Sequence, residues 1–185
     1  MQKQGQQNVI QDKVQELLAS ESGFTLEQMA KQLDTSVREI IANLPGEMAS
    51  LAGSDAVWQL IEELPTWGKV TAIVQNEGSV FEFKGEFPKG SIAHGYYNFM
   101  HHKNPFHGHL LVEGLVEVAF VSKPHRGSES HAMVFLAPSG NCVFKVFLGR
   151  DAERKLIPQQ VERFKQFQQQ LAGASAEHST GEIRK

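Results

Sequence analysis

At Thr66-Trp67-Gly68 the hydrophobic period of the chain changes, and that change limits what it can fold into. Before this point apolar residues recur three and four places apart. From Lys69 to Gly149 they come instead in short runs rich in Val, Ile and Phe, broken by Gly, Pro, Asn and Ser. The first spacing makes one face of a helix, and the second pattern makes strands joined by turns. The runs predict strands over 69–75, 79–85, 92–100, 108–113, 115–122, 130–137 and 141–148. Short breaks such as Asn76-Glu77-Gly78 and Pro138-Ser139-Gly140 favour antiparallel neighbours, because parallel strands need long crossovers.

Upstream, Ile10, Val14, Leu17 and Leu18 fall on one helical face. Thr25 with Gln28, and Ser36 with Glu39, read as capping boxes that open two further helices, the second stopped by Pro45. A fourth helix is expected over Asp55 to Leu64. Downstream, Val161, Phe164, Phe167 and Leu171 mark a helix beginning near Pro158 that can cover a sheet face. The fold class is therefore α+β. Residues 1–65 form a helical segment, 66–172 an antiparallel β domain closed by a C-terminal helix, and 173–185 a solvated tail.

The composition, 41% hydrophobic and 21% charged, is that of a soluble globular chain. No apolar run approaches the roughly 20 residues that span a bilayer, so no membrane insertion is expected. The polar N-terminus lacks the features of a secretory signal, which places the protein in the cytoplasm. A single cysteine, Cys142, excludes an internal disulfide and reads as a buried thiol. A net charge of −3 argues against nucleic acid as the partner.

The chemistry concentrates in one stretch. Five of the eight histidines (His94, His101, His102, His107 and His109) lie within 94–109 together with both tyrosines, Tyr96 and Tyr97. On an extended strand His94 and Tyr96 would point one way, Tyr97 and Phe99 the other, and His107 would share a face with His109. Imidazole nitrogen and tyrosinate oxygen are both axial ligands of haem iron. The pair His107 and His109 could also hold zinc, although structural zinc sites normally take four ligands. For any one of these residues the plain alternative is a solvated loop side chain or a ring packed in the sheet. No nucleophile elbow, phosphate loop, zinc-protease motif or dinucleotide fingerprint occurs, so no familiar enzyme class finds support.

The segments VFEFKGEFPKGSIAHGYYNF at 80–99, GHL at 108–110 and FKVFLGRD at 144–151, with NLP at 43–45 and TWG at 66–68, resemble the HutX/ChuX family of intracellular haem-utilisation proteins. The resemblance implies a haem carrier or store, commonly a homodimer, that hands its cargo to a haem-receiving enzyme or trafficking protein. It implies a split-barrel-like fold similar to half of the larger two-repeat haem-trafficking proteins. Carried over by position, it makes His109 of the GHL motif and Tyr97 the iron-ligand candidates, with Tyr96 and His94 beside them and Tyr97 ranked ahead of Tyr96. Some relatives have a histidine where this chain has Gln75, a weak iron ligand, so ligation would rest on the tyrosines and remaining histidines. Phe81, Phe83, Phe99 and Phe106 are expected to wall the porphyrin, and Lys103 and Arg150 to meet its propionates. Two other functions compete: a haem-degrading oxygenase, by kinship with the two-repeat proteins, and a haem-responsive DNA-binding regulator. The second rests on Thr25 to Leu44, which looks like a helix-turn-helix but has one basic residue, Arg38, in its second helix.

Overall fold

The computed structural model describes residues 2–20, 23–100, 104–125 and 127–178. Its helices are α1 (Gln2–Ala19), α2 (Leu26–Gln32), α3 (Val37–Ala42), α4 (Ser54–Glu63) and α5 (Pro158–His178). Its strands are β1 (Ala49–Gly53), β2 (Lys69–Asn76), β3 (Ser79–Glu86), β4 (Gly90–Ala93), β5 (Tyr96–Phe99), β6 (His109–Leu111), β7 (Glu117–Ser122), β8 (His131–Leu136) and β9 (Cys142–Phe147). Six strands make an antiparallel sheet in the order β1-β7-β8-β9-β2-β3, and β4-β5-β6 make a second, smaller one. The large sheet is open, with β1 and β3 at its edges, and does not close into a barrel.

Strand alternation sends successive side chains of the large sheet into two separate cores. Val118, Phe120, Met133, Phe135, Phe144 and Val146 pack with Leu60 and Ile61 of α4, Phe164 of α5 and residues of β5. Their neighbours Ala119, Val121, Ala132, Val134 and Leu136 pack instead with Val14 of α1, Met29 of α2 and Ile40 and Ile41 of α3. That is why β8 after His131 reads as an apolar run: all six of its residues are buried, with Met133 and Phe135 in the first core and Ala132, Val134 and Leu136 in the second. Phe135 and Phe144 stack at 4.3 Å in the first core.

The capping signals held for α2 and in part for α3. Thr25 accepts from the Gln28 amide and Gln28 reaches back to the Thr25 amide, a complete capping box. Ser36 accepts from the Glu39 amide, but the Glu39 carboxylate turns to Asn43 rather than to the cap. Arg38, the basic residue of α3, is committed to a bidentate pair with Glu117 of β7, and Val37, Ile40 and Ile41 are buried against the sheet. The helix pair therefore serves as a cover for the sheet and offers no free basic side chain from α3.

Three expectations need correction. The N-terminal segment is not purely helical, because Ala49–Gly53 forms an edge strand paired with β7; its Ala and Gly content hid it among helices. The chain from 173 onward does not leave the helix at once, since α5 continues to His178. Residues 92–100 are not one strand but a hairpin, described below.

Gln160 of α5 fastens the two ends of the sheet segment. Its buried side-chain amide donates to the carbonyls of Trp67 (2.7 Å) and Lys69 (2.9 Å), and its oxygen accepts from the Gly149 amide (2.6 Å). Gly149 lies so close to the Lys69 carbonyl that a Cβ there would collide with backbone. Trp67 and Gly149 are thus explained by packing, and Gly68 by its positive φ of 78°.

Lys145 points from β9 to the same face as α2 and is almost fully buried, paired at 2.6 Å with Glu27 in the first turn of that helix. Removing one member of such a pair strands the other charge. Glu27→Ala is expected to lower stability in urea unfolding by about 3 kcal/mol, and the double variant Glu27→Leu/Lys145→Met by much less. Equal losses in the two would mean that the pair is not what joins helix to sheet.

Candidate functional site

The small sheet positions the tyrosines and His109. β4 and β5 are joined by the two residues His94-Gly95, both at positive φ (54° and 78°), as in the type I′ turn that matches strand twist. The turn usually carries Asn or Asp before Gly, so His-Gly concealed it; the glycine after His94 was the available signal. Gly90 makes room for the fold-back, because a Cβ there would meet the Tyr97 ring and lie 2.6 Å from the Asn98 carbonyl. His94 is therefore a turn residue and not a strand neighbour of Tyr96.

Pairing of β5 with β6 sets Asn98 opposite His109 and Tyr96 opposite Leu111. By alternation these four side chains share one face of the small sheet. Tyr96 and His109 are exposed, with ring centroids 6.3 Å apart and planes at 77°. Asn98 Oδ1 lies 2.6 Å from His109 Nδ1. An accessible phenol and imidazole side by side offer oxygen and nitrogen donors to a ferric centre. His107 precedes β6 and does not share its alternation with His109.

Tyr97 and Phe99 occupy the other face. Tyr97 is 4% exposed, packed at 6.0 Å from Trp58 and 5.6 Å from Phe99, within the first core. Burial pushes its phenol above the ordinary tyrosine range; a backbone hydrogen bond from Gly90 opposes this, and Glu62 adds to it. A tyrosinate ligand must give up its proton, and burial disfavours that step at Tyr97. Phe99 sits edge-on to Phe87, and Phe83 lies 4.9 Å from Phe106. Phe99 is buried in the core, Phe83 and Phe106 pack against it half-buried, and Phe81 on β3 is exposed. His101, His102 and Lys103 lie outside the described residues. Burial pushes the Cys142 thiol up to about 12, which makes it an inert packing group.

Gln75 lies elsewhere. Helices α1 to α3 cover only the β1-β7-β8 half of their face of the large sheet, and the β9-β2-β3 half is left as a cleft of about 1020 Å³. Gln75 lines this cleft with Thr71 and Ile73 of the same strand, whereas Tyr96, Tyr97 and His109 do not. The structure therefore splits the expected site in two.

The cleft gathers Lys69, Lys84, Lys123, Lys145, Arg150 and Arg154 against a single lining carboxylate, Glu82. Lys145 is neutralised by Glu27, and Lys84 lies 3.4 Å from Glu82. Arg150 is held by the carbonyls of Arg154 (2.9 Å) and Glu129 (2.5 Å), and Lys123 by that of Phe24 (2.8 Å). Burial holds the Lys123 ammonium below the ordinary lysine range. Carbonyls orient these cations without cancelling their charge, so the cleft suits anionic groups over an apolar floor that includes Val121, Val134 and Phe147. Apart from Arg150 these basic residues escaped sequence reasoning, because they come from distant segments with no local signature. Among the described residues no three His, Cys, Asp or Glu side chains converge as a metal cluster.

An open α+β sheet with a basic cleft on one side and an exposed tyrosine-histidine pair on a small flanking sheet has the surfaces of a ligand-binding protein, one suited to anionic groups and the other carrying oxygen and nitrogen donors. The family model for haem utilisation ChuX/HutX matches residues 50–167, and the chain belongs to that family. It is 44% identical over 161 residues to the intracellular heme transport protein HutX of Vibrio cholerae serotype O1, covering 87% of this chain and 83% of that one. It also resembles the heme-binding protein ChuX, with 32% identity, a TM-score of 0.76, and coverage of 85% of this chain and 98% of that one. The heme-degrading enzyme ChuS of Escherichia coli O157:H7 shares the fold at 19% identity and a TM-score of 0.67, with 86% of this chain covering 47% of ChuS.

The burial of Tyr97 has a measurable consequence. Folded Tyr97 keeps its proton above the pH, about 10, at which an unfolded tyrosine releases it, so stability falls as pH climbs through that range. A spectrophotometric tyrosinate titration is expected to show a late-ionising phenol that Tyr97→Phe abolishes. Persistence of that component in the variant would place the perturbed phenol at Tyr96.

Proposed function

We propose that this protein is a cytoplasmic haem carrier, and that its cargo is held through Tyr96 and His109 on the open face of the small sheet. The observation that carries the proposal is the juxtaposition of an exposed phenol and an exposed imidazole at 6.3 Å, a donor set that fits ferric iron. Leu111, 42% exposed and opposite Tyr96 in register, adds an apolar contact for a flat macrocycle. Open access suits a molecule that must release its load to a haem-receiving protein. The transport and binding roles of HutX and ChuX support a carrier, whereas the likeness to ChuS is one of fold and gives degradation no separate support. Among the described residues no helix is long and apolar enough to cross a membrane.

A second placement of the cargo has its own support. The basic cleft could hold the macrocycle over its apolar floor, with Arg150 and Lys123 facing the carboxylates and Gln75 at its side. Titration of ferric haem into the purified protein is expected to saturate at one haem per chain. Tyr96→Phe and His109→Ala should each shift the Soret band and weaken binding by about tenfold or more, while Tyr97→Phe leaves the spectrum unchanged. Loss on Lys123→Ala and Arg150→Ala, with Tyr96→Phe and His109→Ala silent, would move the cargo to the cleft. Steady loss of the Soret band with reductant, giving ring-opened products, would overturn the carrier in favour of an oxygenase.

The protein also pairs with a second copy in this reading. Strand β3 is an eight-residue edge with Val80 and Phe81 more than half exposed, an arrangement that monomeric sheets usually avoid. ChuS, whose chain is about twice the aligned length, is consistent with two such folds working together. Light scattering is expected to show a dimer that Val80→Lys/Phe81→Lys dissociates; an unchanged dimer would remove β3 from the interface.

A further inference from the structure

Asn98 lies opposite His109 in register and two residues along β5 from Tyr96. Its side-chain nitrogen is surrounded by the carbonyl oxygens of Tyr96 (3.0 Å), Ala93 (3.2 Å) and Ser91 (3.3 Å). Carbonyl oxygens only accept, so the amide must turn its NH₂ toward them and its Oδ1 away. That leaves Oδ1, 2.6 Å from His109 Nδ1, as an acceptor with no proton to give. The hydrogen in this short contact must belong to the histidine.

From this geometry we infer that Asn98 is a positioning residue that locks neutral His109 in the Nδ1–H tautomer and presents a bare Nε2 lone pair. The inference rests on the reading of His109 as a ligand and adds what makes it a competent one. Metal-binding histidines commonly donate their second ring N–H to a neighbouring acceptor, which fixes tautomer and ring orientation and raises the basicity of the ligating nitrogen. Here the acceptor comes from the adjacent strand, directly opposite in register. The Asn98 nitrogen also holds the Tyr96 carbonyl and the two β4 carbonyls. One side chain therefore touches the imidazole on β6, the backbone of the strand that bears the phenol, and the β4 strand paired with it. The lock exists before any cargo arrives, so the ordering cost is met in folding rather than in binding.

The test begins without haem. In mildly alkaline buffer, where imidazole is neutral, long-range proton-nitrogen correlation spectra of the apoprotein are expected to show His109 protonated at Nδ1 and bare at Nε2. Asn98→Ala should release the ring to a mixed or Nε2–H population, and Asn98→Asp, which keeps an acceptor, should retain the Nδ1–H form. With ferric haem, Asn98→Ala should lose about 10 to 100-fold in affinity and Asn98→Asp only a few-fold. A wild-type His109 carrying its proton on Nε2, or an unaltered tautomer in Asn98→Ala, overturns the inference whatever haem does. Wild-type affinity in His109→Ala, with the Nδ1–H tautomer intact in the parent, overturns the ligand reading instead and so separates the two failures.

Discussion

The molecule depends on the two-sided burial of its central strands. Each of β7 and β8 supplies alternate side chains to two cores, so the sheet can be completed only if covers are provided on both faces. One face is covered by α4, α5 and the small sheet, and the other by α1 to α3. The covers are unequal. The three N-terminal helices pack mainly over β1, β7 and β8, and the cleft is the part of the sheet they leave open. Its basic character follows in part from the same geometry, because strand positions left without a helix over them are exposed there and carry Lys69 and Lys84.

The small sheet obeys the same rule at a smaller scale. Its inner face spends Tyr97 and Phe99 on the first core, which leaves Tyr96, Asn98 and His109 on the outer face. Two adjacent tyrosines thus have opposite fates for a purely geometrical reason. The inner phenol is held protonated by burial and braces the hairpin over Gly90, while the outer one remains accessible. Chemistry and packing are separated by a single residue of register.

Much of this was legible beforehand. The shift of period at Thr66-Trp67-Gly68, the caps at Thr25 and Ser36 and the stripe of α5 all depend on local rules, and all recur in the structure. Tyr96 and His109 were candidates from the sequence because both belong to short motifs, and the structure brings their rings within 6.3 Å. The failures are where local rules are silent. The His94-Gly95 turn lacks the usual Asn or Asp, and β1 is built of small residues that carry no strand signal. Composition alone did not show that Phe99 would be buried in the core and Phe83 packed half-buried against it.

From the chain alone came the element types, the antiparallel pattern, the family and the cluster of ligand-type residues, because each is encoded within a window of neighbours. Tertiary structure alone decided that Gln75 lines the cleft while His109 does not, that Asn98 faces His109, and that Lys123 and Arg150 converge with cations from β2, β3 and β9. Those relations join residues far apart in sequence across strand register and helix cover. No local pattern can specify them, since they depend on which side of a strand each residue falls and on what lies over it.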